Sequence, residues 1–222
     1  MFKIDNVYKI QSLIKAVTDH PDLPWKDAWS KGQLESKSWM LDQIANIQQS
    51  FDCVYVIGGW LGVLPWLVFN DSRFNVDVIK SFDIDPSCEQ AADKLNIEKK
   101  MDAWKFKAVT EDAMNMKFSK EGVYEFVALK ANGNFSKPKP EVPDCIINSS
   151  CDHFSDLQGW IQALPSSSLL VLQNTNYAHD NTHVNCAKSL EDFLKQASLT
   201  TVLYSGSLDM GFSKRFMIIG YK

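Results

Sequence analysis

Five short stretches of this chain carry residues able to do chemistry together. Gly58, Gly59 and Gly62 lie in GGWLG, directly after the apolar run CVYVI. Where a strand hands over to a helix, missing side chains let a ligand approach the backbone, and the helix N–H groups face a polar or anionic group. The spacing is not GxGxxG, and a glycine pair before a helix also serves as a tight turn. Some twenty residues on, Asp83 and Asp85 end the next apolar run in FDIDP. A carboxylate there can accept both hydroxyls of a ribose. Asp83 has the position for it, whereas Asp85 precedes Pro86 and suits a helix cap. Asp112, followed by Ala113 in TEDA, is either an acceptor for an exocyclic amine or an exposed loop acid.

The last two stretches are NSSCDH (residues 148–153) and QNTNYAH (residues 173–179). His153 is the candidate general base, because imidazole titrates near neutrality, and Asp152 is placed to orient it or bind substrate. The competing reading has Asp152 or Ser155 capping a helix while His153 faces solvent. His179 and His183 stand four apart, and Cys151, Asp152 and His153 are further ligand types. That set would suit zinc, but histidines in a polar loop are common by chance, and no metal is expected. Cys151 has no evident cause for the lowered pKa that a nucleophile needs.

The elements that must position these residues follow from hydrophobic periodicity. Val7, Ile10, Leu13, Ile14 and Val17 predict an amphipathic helix over 7–17, ended by His20-Pro21, and Met40, Leu41, Ile44 and Ile47 predict a second over 38–47. Trp25, Trp29 and Trp39 read as packing residues. Strands are expected at 53–57, 76–85, 104–109, 144–148 and 168–173, and helices up to residue 69, then at 86–95, 154–163 and 187–196. Such alternation predicts an α/β, doubly wound, mainly parallel sheet. Two β-rich runs, 200–205 and 215–221, joined through 206–213, predict a C-terminal antiparallel hairpin. Residues 1–50 form an N-terminal helical extension, 51–222 the main domain, and 117–143 an insertion with a possible strand at 124–129.

In order and spacing, VYVIGGWLG, SFDIDPSCEQAADKL, VTEDAMNM and DCIINSSCDHF resemble the successive motifs of class I S-adenosylmethionine-dependent methyltransferases, from about residue 53 to the C-terminus. The resemblance implies a Rossmann-like fold and S-adenosylmethionine as cofactor. It places the glycine loop against the methionine part, Asp83 at the ribose, and Asp112 and Ala113 at adenine; Ile84 and Asn148 are further candidate cofactor contacts. The loop departs from the family's GxGxG at Trp60. A methyl acceptor would then meet Ser149, Asp152, His153, Asn174, Asn176 and Tyr177. N-terminal helices of similar enzymes cover the pocket, so Gln33, Ser36 or Lys37 is expected to meet the cofactor carboxylate or the acceptor; an ordinary capped helix start with a solvated lysine is the alternative. The Asp/Asn-Pro-Pro-Tyr/Phe signature of amino-methylating nucleic-acid enzymes is absent.

Composition narrows the partners. The chain has 222 residues, 45% of them hydrophobic, and a net charge of −4, enough apolar material for a packed core. No dense stripe of Lys and Arg is present, which argues against a large nucleic-acid partner without excluding one. Lys94, Lys99, Lys100, Lys105 and Lys107 read as a solvated face. Five cysteines without CxxC spacing predict free thiols in a reducing compartment. With no signal-peptide core at the N-terminus and no membrane-length apolar run, a cytoplasmic protein is expected. The leading expectation is a methyltransferase for a small or compact acceptor. Its alternatives are a non-catalytic nucleotide- or partner-binding module of the same fold, and an RNA or protein methyltransferase.

Overall fold

The structure, a computed structural model, describes residues 4–101, 104–126, 139–178 and 181–222. Three helices, α1 (Ile4–Asp19), α2 (Trp25–Ala28) and α3 (Lys31–Ile47), precede β1 (Ser50–Ile57). Then come α4 (Val63–Asn70), β2 (Asn75–Asp83), α5 (Pro86–Leu95), α6 (Ile97–Met101) and β3 (Phe106–Thr110). A small antiparallel pair, β4 (Tyr124–Phe126) and β5 (Lys139–Glu141), stands before β6 (Cys145–Asn148), α7 (Leu157–Ala163) and β7 (Leu169–Thr175). The chain closes with α8 (Leu190–Ala197), β8 (Thr201–Asp209) and β9 (Lys214–Tyr221).

Seven strands form one sheet in the order β3-β2-β1-β6-β7-β9-β8. All its pairs are parallel except β7–β9 and β8–β9. The period of two within each central strand divides its residues between two layers. Cys53, Tyr55 and Ile57 of β1 join Leu170, Leu172 and Ile218 on one face, while Val54 and Val56 join Val171 and Ile219 on the other. Burial on both faces is why these strands read as continuous apolar runs. The order reverses between β1 and β6, so a crevice opens at their carboxyl ends.

Several boundaries differ from expectation, each for a local reason. Helix α3 starts at Lys31, because Ser30 caps it by accepting the Gln33 N–H, which puts Lys37 inside a helix and not on the loop before it. Helix α1 forms, but its apolar stripe is turned outward: Val7, Ile10, Ile14 and Val17 are exposed, while Ser12 and Ala16 are buried. Small residues win there because Ala16 packs with Cys88 and Ala91 of α5, an approach that larger side chains would prevent. Trp104 takes a left-handed φ of 61° and stands outside β3. Asp156 and Ser189 cap α7 and α8 through their side chains, so both begin three residues after the expected points. Strand β8 runs on to Asp209, which shortens the hairpin turn. Residues 127–129 of the possible strand lie outside the described residues.

Lys107 is not part of a solvated face. It is 2% exposed, and its Nζ donates to Glu89 at 2.8 Å and to Asp93 at 2.7 Å. Asp93 also accepts the Ala108 N–H, and Glu89 the Thr110 N–H, which ties α5 to β3 at the edge of the crevice. The cysteines Cys53, Cys88, Cys145, Cys151 and Cys186 are free thiols. Among the described residues, no helix is long and apolar enough to cross a membrane.

Candidate functional site

The turn after β1 repeats a left-handed backbone at alternate residues: Gly58 (φ 64°), Trp60 (φ 48°) and Gly62 (φ 75°). The alternation of the GxGxG pattern is therefore kept by the backbone although Trp60 fills its middle position. A β-carbon on Gly59 would lie 1.8 Å from Ser81 Oγ, so the loop rests directly on β2. Gly59 N–H donates to the Phe82 carbonyl at 3.0 Å, and Trp60 N–H to Asp83 Oδ2 at 2.7 Å. Asp83 Oδ1 accepts the Asp85 N–H at 3.0 Å. Burial pushes the Asp83 carboxyl above its usual range, and these two N–H donors oppose the rise. Gly62 serves packing: a β-carbon there would meet Ala92, and its carbonyl accepts from Asn96.

These groups edge a cavity of about 650 Å³, a volume typical of small-molecule sites. Gly58, Gly59, Asp83, Ile84, Asp112, Ala113, Ser149, Asp152, His153 and Lys37 all line it. Ile84 is 68% exposed and presents an apolar surface there. The carboxylate of Asp112 accepts the Met114 N–H at 2.9 Å and Asn115 Nδ2 at 3.2 Å, which fixes its orientation in a short helical turn. Asp85 caps α5 by accepting the Ser87 N–H.

Five expected residues stand elsewhere. Gly62 and Asn148 lie behind the wall; Asn148 is fully buried, with Oδ1 accepting the Ser150 N–H at 2.8 Å. The Asn174 amide is used up inside the protein, donating to the Asn185 carbonyl and Gln196 and accepting the Thr175 and Ala187 N–H groups. Asn176 Oδ1 accepts the Lys214 N–H at 2.7 Å. Tyr177 is absent from the lining, and its carbonyl lies 2.6 Å from His183 Nδ1. Polar residues after β7 thus hold the loop together, a demand the sequence does not distinguish from ligand binding. His179 lies outside the described residues.

At the opposite end Lys37 is 9% exposed, and its Nζ donates to Gln33 Oε1. Burial, and then the nearby Arg215 guanidinium, lower its pKa to about 8. Ser36 Oγ donates to Gln173 Oε1 at 3.1 Å, binding α3 to the sheet beneath. Asp152 is 1% exposed; its Oδ2 lies 3.1 Å from His183 Nε2 and 3.4 Å from His153 Nε2. Arg215, Asp27, Trp60, Met114 and Thr182 also line the cavity, and the sequence motifs do not single them out as site residues. Arg215 occupies a strand start with no motif around it.

No family model and no curated protein matches the sequence. Solved structures do match. N-methyltransferase NodS from Bradyrhizobium japonicum WM9, in complex with S-adenosyl-L-homocysteine, superposes with a TM-score of 0.57 at 12% identity, covering 96% of this chain and 98% of that one. Geranyl diphosphate C-methyltransferase from Streptomyces coelicolor A3(2), in complex with Mg2+, geranyl diphosphate and S-adenosyl-L-homocysteine, gives 0.56 at 11% identity over 85% and 79% of the two chains. The YcgJ protein from Bacillus subtilis gives 0.56 at 14%, over 83% and 98%. The fold is that of the class I methyltransferases. At these identities the likeness extends to the fold alone, and to neither an activity nor an acceptor.

Proposed function

We propose that the protein is an S-adenosylmethionine-dependent methyltransferase acting on a small, compact acceptor. The observation that carries this reading is the convergence of the Gly58 loop, Asp83 and Asp112 on one cavity. The residues fit the cofactor. Gly58 and Gly59, whose missing β-carbons let the loop close onto Ser150 and Ser81, bring its backbone to the cavity wall, each Asp83 oxygen keeps a free lone-pair direction for a ribose hydroxyl, and Ile84 offers an apolar face to a base. The cofactor supplies an electrophilic methyl on sulfur. The protein's part is to hold the acceptor in line and to receive its proton at the Asp152–His153 end. Lys37 and Arg215 favour a carboxylate, either the cofactor's own or the acceptor's. Calorimetry with S-adenosylhomocysteine tests the reading: saturable one-to-one binding that Asp83→Ala weakens at least about a hundredfold supports it, and absence of binding to the unaltered protein defeats it.

A further inference from the structure

Asp152, His153 and His183 come from two loops, one after β6 and one after β7, and their ligand atoms all lie within 4.8 Å of one another. His183 Nδ1 is 2.6 Å from the Tyr177 carbonyl, which can only accept, so this nitrogen carries a proton and Nε2 is the ring's other face. In the neutral ring Nε2 presents a lone pair, and it faces another acceptor, Asp152 Oδ2, at 3.1 Å. His153 Nε2 faces the same oxygen at 3.4 Å. A shared proton satisfies one such contact, but three convergent donor atoms call for one positive centre among them. The second Asp152 oxygen, Oδ1, is sealed from solvent without a hydrogen-bond partner, a costly state for a buried carboxylate.

We infer that Asp152, His153 and His183 form a binding site for a divalent cation of the zinc type at the acceptor end of the cavity. The spacing supports it: ligands held about 2.0–2.1 Å from a tetrahedral zinc stand about 3.3 Å from one another, and the two imidazole nitrogens stand 3.1 and 3.4 Å from Asp152 Oδ2 and within 4.8 Å of each other. Imidazole with carboxylate suits zinc and its transition-metal neighbours better than magnesium or calcium. The Tyr177 carbonyl on the far ring nitrogen is the kind of outer contact that orients a metal-ligating histidine. Three protein ligands leave a fourth position toward the cavity, the pattern of a catalytic rather than a structural site. A bound ion there would polarise an acceptor hydroxyl, thiol or amine and lower the cost of passing its proton to solvent water, with His153 Nε2 then a ligand and not the base. That use rests on the methyltransferase reading; the binding of the ion does not.

The test is titration of the purified full chain with Zn2+ by calorimetry and with Co2+ by visible absorption, alongside S-adenosylhomocysteine binding. One ion per chain is expected, with the intense visible bands of low-coordinate Co2+. His153→Gln and His183→Gln should each weaken it at least about tenfold, whereas His20→Gln leaves it unchanged. His153 is partly exposed, so its variant keeps the test valid if the His183 variant fails to fold. Absence of saturable binding, or binding indifferent to both substitutions, overturns the inference. If the ion fails to bind while S-adenosylhomocysteine binds, only the metal site falls; the converse removes the methyltransferase reading and leaves the ion in place.

Discussion

At the β1–β2–β3 end of the cavity the polar groups hold one another: Asp83 takes two backbone N–H groups, Asp112 caps its own turn, and Glu89 and Asp93 bind Lys107 beneath. At the Lys37–Asp152–Arg215 end they do not. Arg215 makes no ion pair with a described residue, Lys37 has an amide oxygen in contact and the Asp27 carboxylate only at longer range, and Asp152 Oδ1 has no hydrogen-bond partner. The first end is set before any ligand arrives, as suits a part recognised the same way in every cycle. The second stores unsatisfied charge, which a ligand of opposite sign would relieve.

The largest expected effect breaks the preset end. Lys107→Met leaves the half-buried Glu89 without a cation and Asp93 with Lys100 alone, and should cost about 3 kcal/mol in chemical denaturation. Asp83→Ala comes next. It should weaken S-adenosylhomocysteine binding at least about a hundredfold, since it removes charge-assisted hydrogen bonds to the ribose, with only a modest change in stability. If both substitutions proved mild, the contrast between a rigid end and an open one would be lost.

Lys37 sharpens the other side of the comparison. With a pKa lowered from 10.5 to about 8, it is protonated at pH 7 at a cost to the fold. Between about pH 8 and 10.5 the unfolded chain binds more protons at this residue than the native one, so stability rises with pH across that window. Lys37→Met should remove this rise and leave the protein at pH 7 as stable or more so, by about 2–3 kcal/mol at most. Anionic ligands should bind the unaltered protein best below pH 8 and progressively less above it, and the variant should lose that dependence.

The same division decides what was legible in the sequence. Gly58, Asp83 and Asp112 each sit where a strand ends and a turn begins, so local patterning both locates and orients them. The open end is assembled from α3, two loops and β9, and no short window contains two of its elements except Asp152 and His153. Arg215 carries no signal at all, and Lys37 is hidden by a helix that begins seven residues earlier than its apolar spacing suggests. Asn174 and Asn176 mislead for the converse reason: an amide that knits a loop looks, in sequence, like one that greets a ligand. The outward stripe of α1 belongs with them, because periodicity detects a helix but does not reveal that Ala16 is needed at the contact with α5.

The smallest effect isolates the backbone of the glycine loop. Trp60 holds φ at 48°, a conformation costing an L-residue about 1–2 kcal/mol, and its indole is only partly buried against the α4–α5 layer. Trp60→Ala keeps the β-carbon and the strain while losing the packing. Trp60→Gly loses the same packing but releases the strain, offset by the greater freedom of glycine in the unfolded chain. At an ordinary position alanine is the more stabilising of the two, by about 0.5–1 kcal/mol. Here the order should invert, glycine exceeding alanine by about 1 kcal/mol in denaturant midpoint measurements. Equal stability of the two variants would mean that the loop relaxes once the indole is gone, and that the tryptophan, not the glycines on either side, sets its shape.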